Sequence, residues 1–354
     1  MSQYIVLSHI DIQNANSIAG LTWGFPAITH FLGFTHALNR KLSNHYSGEY
    51  GTELTGCAVI SHTVENKVCQ PEKNADFKFI QSRNPPVLRR HKKKDPPIIE
   101  EGKMNLTVSI VIELGKSLSL TTAEIKNLQE ELLVICCSMR LAGGTVIGIK
   151  QAKFLSASTQ EQQADMLRKI KRLTLPGFVL LDRSDYLKEH YLTMLANHTA
   201  KKLPQNKPQL LDAWLDFSAL KSKASPQLIQ GQTVPDASTL ASWEHVSKPY
   251  SGYLVPLMTG YKAISEVYDA GVVLNTRDEI TPSCFAEAIH SVGEWKGVHS
   301  LKAVETAIWR YEQDGQWYLC KQSGGVTADS APEEKKLEAG KTQTFNFNDA
   351  LNLF

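Results

Sequence analysis

The stretch Met139-Arg140-Leu141-Ala142-Gly143-Gly144-Thr145-Val146-Ile147 decides how this chain is read. A helical pattern from Ala123 to Met139 runs into it, and a β-branched strand pattern leaves it. Two glycines fall between them. Glycine serves where φ must be positive, or where a second backbone or a phosphate must approach without a Cβ in the way. Successive free N–H groups in such a turn form a small anion-binding concavity. Arg140, one turn earlier, would set a two-pronged phosphate donor beside it. The same glycines also fit a plain helix C-cap followed by a strand, so the rest of the chain must supply the context.

Working outward, Tyr4 to Ile12 reads as a strand ending in clean alternation, broken by the polar turn Gln13-Asn14-Ala15-Asn16. A helix is expected from Ala27 to about Leu42, with Ile28, Phe31, Leu32, Phe34, Leu38 and Leu42 on its apolar stripe. Leu54 to Thr63 is a second strand and Met104 to Leu114 a third. Thr121 caps the long helix, and Thr145 to Ile149 makes a fourth strand. The order β-α-β-β-α-β is the ferredoxin-like split arrangement. The predicted class is therefore α+β, with this unit over about residues 1–150 and an irregular insertion at about 64–103. Prolines on both sides of the insertion's basic run, at Pro85-Pro86 and Pro96-Pro97, forbid a regular helix or central strand there.

Residues 151–354 read as a C-terminal α/β elaboration. Helices are expected at Glu161 to Leu173, Tyr186 to Asn197 and Gln209 to Phe217, with a short strand at Leu175 to Leu181. Lys221 to Ser242 looks like a linker. Further elements are expected at Tyr253 to Met258, Ser283 to Val292 and Leu301 to Tyr311, and Asp314-Gly315 marks a hairpin. The polar stretch 324–341 is expected to be flexible.

With 354 residues, 42% hydrophobic and 21% charged, the chain can bury a sizeable core. Its net charge of +2 confines any nucleic-acid contact to local patches. No signal-peptide pattern opens the sequence and no apolar run is long enough to span a bilayer, so a cytoplasmic protein without membrane contact is expected. None of the six cysteines forms a CxxC pair, which predicts buried thiols rather than a metal site, and no cofactor is called for.

Enzyme signatures fail one by one. Gly143 to Lys150 brushes against a P-loop, but the lysine comes one residue late and Gln151 replaces Ser or Thr. There is no GxSxG and no HExxH. His9, His30 and His36 remain as general-base candidates for an RNA-cleaving version of the fold, though a lone histidine on an apolar helix is more often a core residue. The strongest local signal is basic: Arg83, Arg89, Arg90, Lys92, Lys93 and Lys94 lie within twelve residues. Such a run is either a solvated face or a polyanion grip, offering affinity through counterion release rather than base selection. Gln13, Asn14 and Asn16 bring amides to a strand end. Trp23 and Phe25 suit base stacking or a core. The glycine-between-aromatics pattern of RNA-recognition strands is absent, so RNA would be held by loops.

Several motifs in order resemble one family. Ile12-Gln13-Asn14-Ala15-Asn16, Leu21-Thr22-Trp23-Gly24-Phe25-Pro26 and Gly33-Phe34-Thr35-His36-Ala37-Leu38 are similar to the opening of the Csy-two subunits of type I-F CRISPR surveillance complexes. Met139 to Gly144, Leu175-Pro176-Gly177-Phe178, Tyr253-Leu254-Val255-Pro256, Gly260-Tyr261 and Gly293-Glu294-Trp295 continue the likeness in sequence, to about residue 300. The resemblance implies a non-enzymatic, Cas-five-like member of the repeat-associated RNA-binding superfamily, built on a modified RNA-recognition-motif fold whose thumb corresponds to the insertion. It implies a subunit that caps the 5′ repeat-derived handle of the guide RNA and pairs with the large subunit as a heterodimer. Its thumb would abut the first backbone subunit, and target DNA would be met through the complex. The glycine turn from Arg140 to Thr145 matches the superfamily's RNA-binding loop. The expected RNA-binding residues are Gln13, Asn14, Asn16, Trp23, Arg83, Arg89, Arg90, Lys92, Lys93, Arg140, Gly143, Gly144 and Thr145, with no catalytic or metal-ligating residue. The rival expectation is a metal-independent endoribonuclease using His36.

Overall fold

The computed structural model describes residues 2–45, 53–80, 101–201, 206–227, 239–276 and 278–322, with the backbone at 82–83, 88–89, 92–93 and 98–99. The first six main elements are β1 (Ser2–Asn16), α1 (Ile28–His45), β2 (Leu54–Asn66), β3 (Lys103–Leu114), α2 (Thr122–Cys137) and β4 (Gly144–Ala157). The four strands lie in the order β4-β1-β3-β2, each antiparallel to its neighbours. Alternation dictates which face each strand buries. Ile5 and Leu7 of β1, with Val108 and Ile110 of β3, pack beneath Phe31 and Leu38 of α1 and Leu128 and Leu132 of α2. Helix α2 begins at a reciprocal cap, where Glu124 N donates to Thr121 Oγ1 at 3.3 Å and Thr121 N donates to Glu124 Oε2 at 2.7 Å.

The chain continues as α3 (Gln160–Thr174), β5 (Phe178–Asp182), α4 (Ser184–Lys201), α5 (Leu210–Ser218), β6 (Lys221–Pro226), β7 (Ala241–Val246), β8 (Tyr253–Ala263), β9 (Ala286–Gly297), β10 (Trp309–Asp314) and β11 (Trp317–Gln322). Helix α3 covers the opposite face of the sheet, setting Met166 and Ile170 against Tyr4, Val6 and Val111. Helices α4 and α5 place Leu187 and Phe217 against Leu254 and Val292 of β8 and β9.

Pairing does not stop at β2. Its Ile60 and Ser61 pair with β5, and the ladder runs on through β9, β8 and β11 to β10. Strand β10 then returns to β2, with Trp309 opposite Cys57 and Arg310 opposite Gly56. Strands β2, β5, β9, β8, β11 and β10 therefore form a closed ring. Trp309, fully buried, donates from Nε1 to Leu180 O at 3.1 Å across it. Outside, Arg310 grips Glu113 of β3 at both carboxylate oxygens, at 2.9 and 2.6 Å.

Three expectations differ from what is observed. Strand β1 does not end at Gln13; the expected turn is a bulge within a 15-residue strand. Strand β4 continues past Ile149 to Ala157, because Ala152 and Phe154 keep facing the core on either side of exposed Lys153. Residues 221–242, read as a linker, include β6 and the start of β7, which pair as a two-stranded ribbon whose mostly exposed side chains leave no alternation to read. In the insertion the described backbone forms short antiparallel pairs, Val68–Cys69 with Lys78–Phe79, Ser82–Arg83 with Ile98–Ile99, and Leu88–Arg89 with Lys92–Lys93. The stretch 324–341, expected to be flexible, lies outside the described residues. Among the described residues no helix is long and apolar enough to cross a membrane.

Candidate nucleic-acid interface

Helix α2 ends at Cys137, and a two-residue strand, Arg140–Leu141, follows before the glycines. It pairs with Gly144 and Thr145 across a two-residue turn. Both central residues have positive φ, 50° at Ala142 and 73° at Gly143, the signature of a type I′ hairpin. The turn is thus a β-hairpin rather than a helix cap feeding straight into a strand. Gly144 is buried, and a Cβ there would lie 2.6 Å from Ile12 Cγ2 and 2.8 Å from both Ala15 N and Gln13 O. The space beside Gly144 belongs to β1. Gly143 is exposed, with nothing nearer to a Cβ than Asn16 Cβ at 4.0 Å, so approach from outside is open there.

Register gathers several of the sequence-predicted residues into one row. Gln13 of β1 lies opposite Thr145 of β4, which lies opposite Arg140. All three are exposed. The Arg140 guanidinium donates to Gly143 O at 2.5 Å, bracing the turn it precedes. Asn14 occupies the neighbouring bulge at φ 57°, donating from N to Asn105 Oδ1 at 3.2 Å and accepting at Oδ1 from Lys67 Nζ. Asn105 in turn donates to Glu65 at 3.3 Å, which extends the polar row to β2.

Asn16 stands apart. Its amide closes a local turn, donating to Ile18 O and accepting from Ile18 N, both at 3.0 Å, while its own N donates to Ala142 O at 2.8 Å. Trp23 is 40% exposed and rests on Phe79, ring centroids 4.7 Å apart. Arg83 pairs by backbone with Ile98, Arg89 with Lys92 and Lys93 with Leu88. Arg90 lies outside the described residues.

The candidate bases separate. His36 is exposed on α1. His30 is partly buried, and burial holds its imidazole below the usual histidine range. His9 sits in a second bulge at φ 50°, on the α3 side of the sheet, stacked on His62 with centroids 4.0 Å apart. His62 had no local sequence signal, because a bulge in β2 brings it there. Carbonyls only accept, so the hydrogen bonds fix both tautomers. His62 donates from Nδ1 to Pro176 O at 2.6 Å and accepts at Nε2 from Ser109 at 2.7 Å. Ser8 donates to Leu173 O at 2.7 Å, so it accepts from His9 Nδ1 at 2.8 Å, leaving His9 Nε2 with its lone pair. Burial is the main cause that holds both rings below the usual histidine range; His62 and then Lys150 add to it at His9, while at His62 the Pro176 carbonyl and Asp11 oppose it and Lys150 adds a little. Among the described residues no group of three His, Cys, Asp or Glu side chains is arranged to hold a metal ion.

A family model described as CRISPR-associated protein (Cas_Csy2) matches residues 5–320. The CRISPR-associated protein Csy2 of Pseudomonas aeruginosa (strain UCBPP-PA14) is similar to the chain at 31% identity over 322 residues, 88% of this chain and 91% of that relative. The chain belongs to the Csy2 family. The matched span starts in β1 and ends in β11, so the family covers both the four-stranded sheet and the ring of strands closed upon it. The glycine hairpin, the polar row and the exposed Trp23 all fall inside it.

Proposed function

We propose that this chain is the non-catalytic subunit of a type I-F CRISPR surveillance complex that holds the 5′ repeat-derived handle of the guide RNA. Family membership supports the complex, and the row Arg140–Thr145–Gln13 is the observation that carries the RNA reading. It combines a cation, a hydroxyl and an amide beside an exposed positive-φ turn, a set of donors suited to phosphate and sugar rather than to base edges. The order β4-β1-β3-β2 with β-α-β-β-α-β connectivity supports a modified RNA-recognition-motif fold, with the insertion at about 64–103 as its thumb. In this reading the large subunit binds as a heterodimer, the thumb meets a backbone subunit, and target DNA is reached through the complex in the cytoplasm. Large apolar side chains left exposed, such as Leu274 and Ile280 at 85% and Trp243 at 74%, suit such assembly.

The test is anisotropy of labelled repeat-derived RNA with the chain co-purified with its large subunit. Tight binding of intact RNA, weakened at least tenfold by Arg140→Ala, is expected. Metal-independent cleavage that disappears in His36→Ala would overturn the reading in favour of an endoribonuclease.

A further inference from the structure

Beside the outer end of β2, between β5 and β8, lies a cavity of about 520 Å³ that the polar row does not use. Its size falls within the ~300–1,000 Å³ of ordinary small-molecule sites. Trp23, Phe178, Tyr253 and Trp295 line it, together with His62 and Asn66. Register shows why these aromatic rings converge. Tyr253 lies opposite Trp295, Trp295 opposite Leu180, and Phe178 opposite Ser61, so alternation turns all of them to one face.

Three of the rings are uncovered, and the two tryptophans are braced. Tyr253 is 70% exposed, Phe178 56% and Trp23 40%. Trp23 leans on Phe79, and Trp295 meets Phe25 edge-on at 4.8 Å. At the same wall Asn66 Oδ1 is buried without a hydrogen-bond partner. A buried acceptor left unpaired is costly, and an arriving N–H group relieves it. Both ring nitrogens of His62 are already engaged, so Asn66 is the acceptor on offer.

We propose that this groove receives one base of single-stranded RNA, stacked on Tyr253 or Phe178 with an N–H on its edge given to Asn66. The inference rests on the guide-RNA reading above and deepens it by adding a base pocket to a backbone-binding row. A nucleic-acid occupant follows from position. Three strand spacings, β4 to β1 to β3 to β2, separate the hairpin from the groove, roughly 14 Å at ~4.8 Å each. Lys67, next to Asn66, reaches back to Asn14 in the row, so one strand of RNA can run between them past a cation. Aromatic platforms beside a cationic track are how single strands are held without a sequence code.

The test uses the complex of this chain with its large subunit and a set of guide RNAs, each abasic at one handle position. With wild-type protein, one abasic position lowers affinity about five- to a hundredfold, the range of a single base stack. The double variant Phe178→Ala/Tyr253→Ala loses a similar factor on intact RNA and loses nothing more at that abasic position. Ultraviolet crosslinks from intact RNA fall on peptides containing Trp23, Phe178 or Tyr253. If the double variant melts below wild type, Tyr253→Ser alone carries the same comparison.

Full RNA affinity in the groove variants, with crosslinks only near Arg140 and Thr145, overturns the pocket and leaves the handle reading standing. Retained RNA affinity with loss of the large subunit makes the groove a protein-docking site, which also overturns it. Absence of any RNA binding by the wild-type complex removes both readings together.

Discussion

The glycine hairpin and the aromatic groove lie at the same end of the sheet and are built on opposite principles. At the hairpin several polar groups are spent within the chain: Arg140 on Gly143 O, Asn16 on Ile18, and Ala142 O on Asn16 N. Gly144 is small because β1 leaves no room beside it. In the groove, large rings are left uncovered and an amide oxygen is left unpaired. The hairpin is a place that is hard to build, and the groove is a place that is unfinished. A distinctive short motif draws the eye to the first kind, while the second leaves uncovered surface on which a ligand could stack.

The comparison breaks most sharply at Gly144. Gly144→Ala forces β1 to move and is expected to destabilise the fold by about 3 kcal/mol, the upper range of overpacking. Gly143→Ala meets open space and suffers only its left-handed φ, about 1 kcal/mol. Thermal denaturation reads both; if Gly143→Ala proves the worse, the hairpin is not shaped by the approach of β1. Next comes Arg140→Ala. Its exposed guanidinium braces one carbonyl, so the loss of stability should stay under about 1 kcal/mol. Its RNA binding should fall, with the log–log salt slope shrinking by about 0.7 per lost phosphate contact. Replacing Arg89, Arg90, Lys92 and Lys93 by alanine extends the same measurement; an unchanged slope would make that run a solvated face. Tyr253→Ala, at a mostly exposed ring, should change stability by less than about 0.5 kcal/mol. A large drop in melting temperature there would mean the groove is core rather than an open site.

The smallest effect separates the groove wall from the sheet face behind it. His9 and His62 are held below their ordinary histidine range, chiefly by burial, with Lys150 adding to this and Asp11 opposing it. The unfolded chain therefore binds protons first as pH falls. Their contribution to stability is complete above about pH 6.5 and is lost as pH drops through the unfolded value toward the folded one. Burial pushes the Asp182 carboxyl up to about 6, which contributes the opposite slope: full at low pH and lost as pH rises through that value. Comparing His62→Gln with wild type cancels the Asp182 effect. The variant should show a flatter acid limb in melting temperature against pH, and an identical limb would remove His62 from the account.

The four-stranded half was legible because each strand and helix carries its own period: Ile5 and Leu7 alternate, and Phe31, Leu38 and Leu42 follow a helical stripe. Thr121 marked its helix through a local cap. The polar row was found as residues but not as a row, since Gln13, Thr145 and Arg140 meet only through register. The groove was half seen. Trp23 stood out as a stacking candidate, and Tyr253 and Trp295 stood in motifs without a role. Their convergence depends on β8 pairing with β9, and β9 with β5, over gaps of tens of residues, which no local pattern encodes. His62 reached His9 through two bulges, and a bulge shifts register without changing composition.

The closure of the ring by β10 bears on how a faulty copy of this protein would fare. The hairpin β10–β11 comes last among the described strands and carries the least distinctive sequence, yet Trp309 and Arg310 cover the edge of β2 at Cys57 and Gly56 that faces away from β3. A chain ending shortly before residue 309 would keep nearly every recognisable motif and still expose a raw, hydrogen-bond-hungry strand lined by Cys57 and Gly56. Such an edge is a template for adding a strand from any neighbouring chain. An early stop there would yield an adhesive product, prone to stick to its own kind, instead of a slightly shorter subunit.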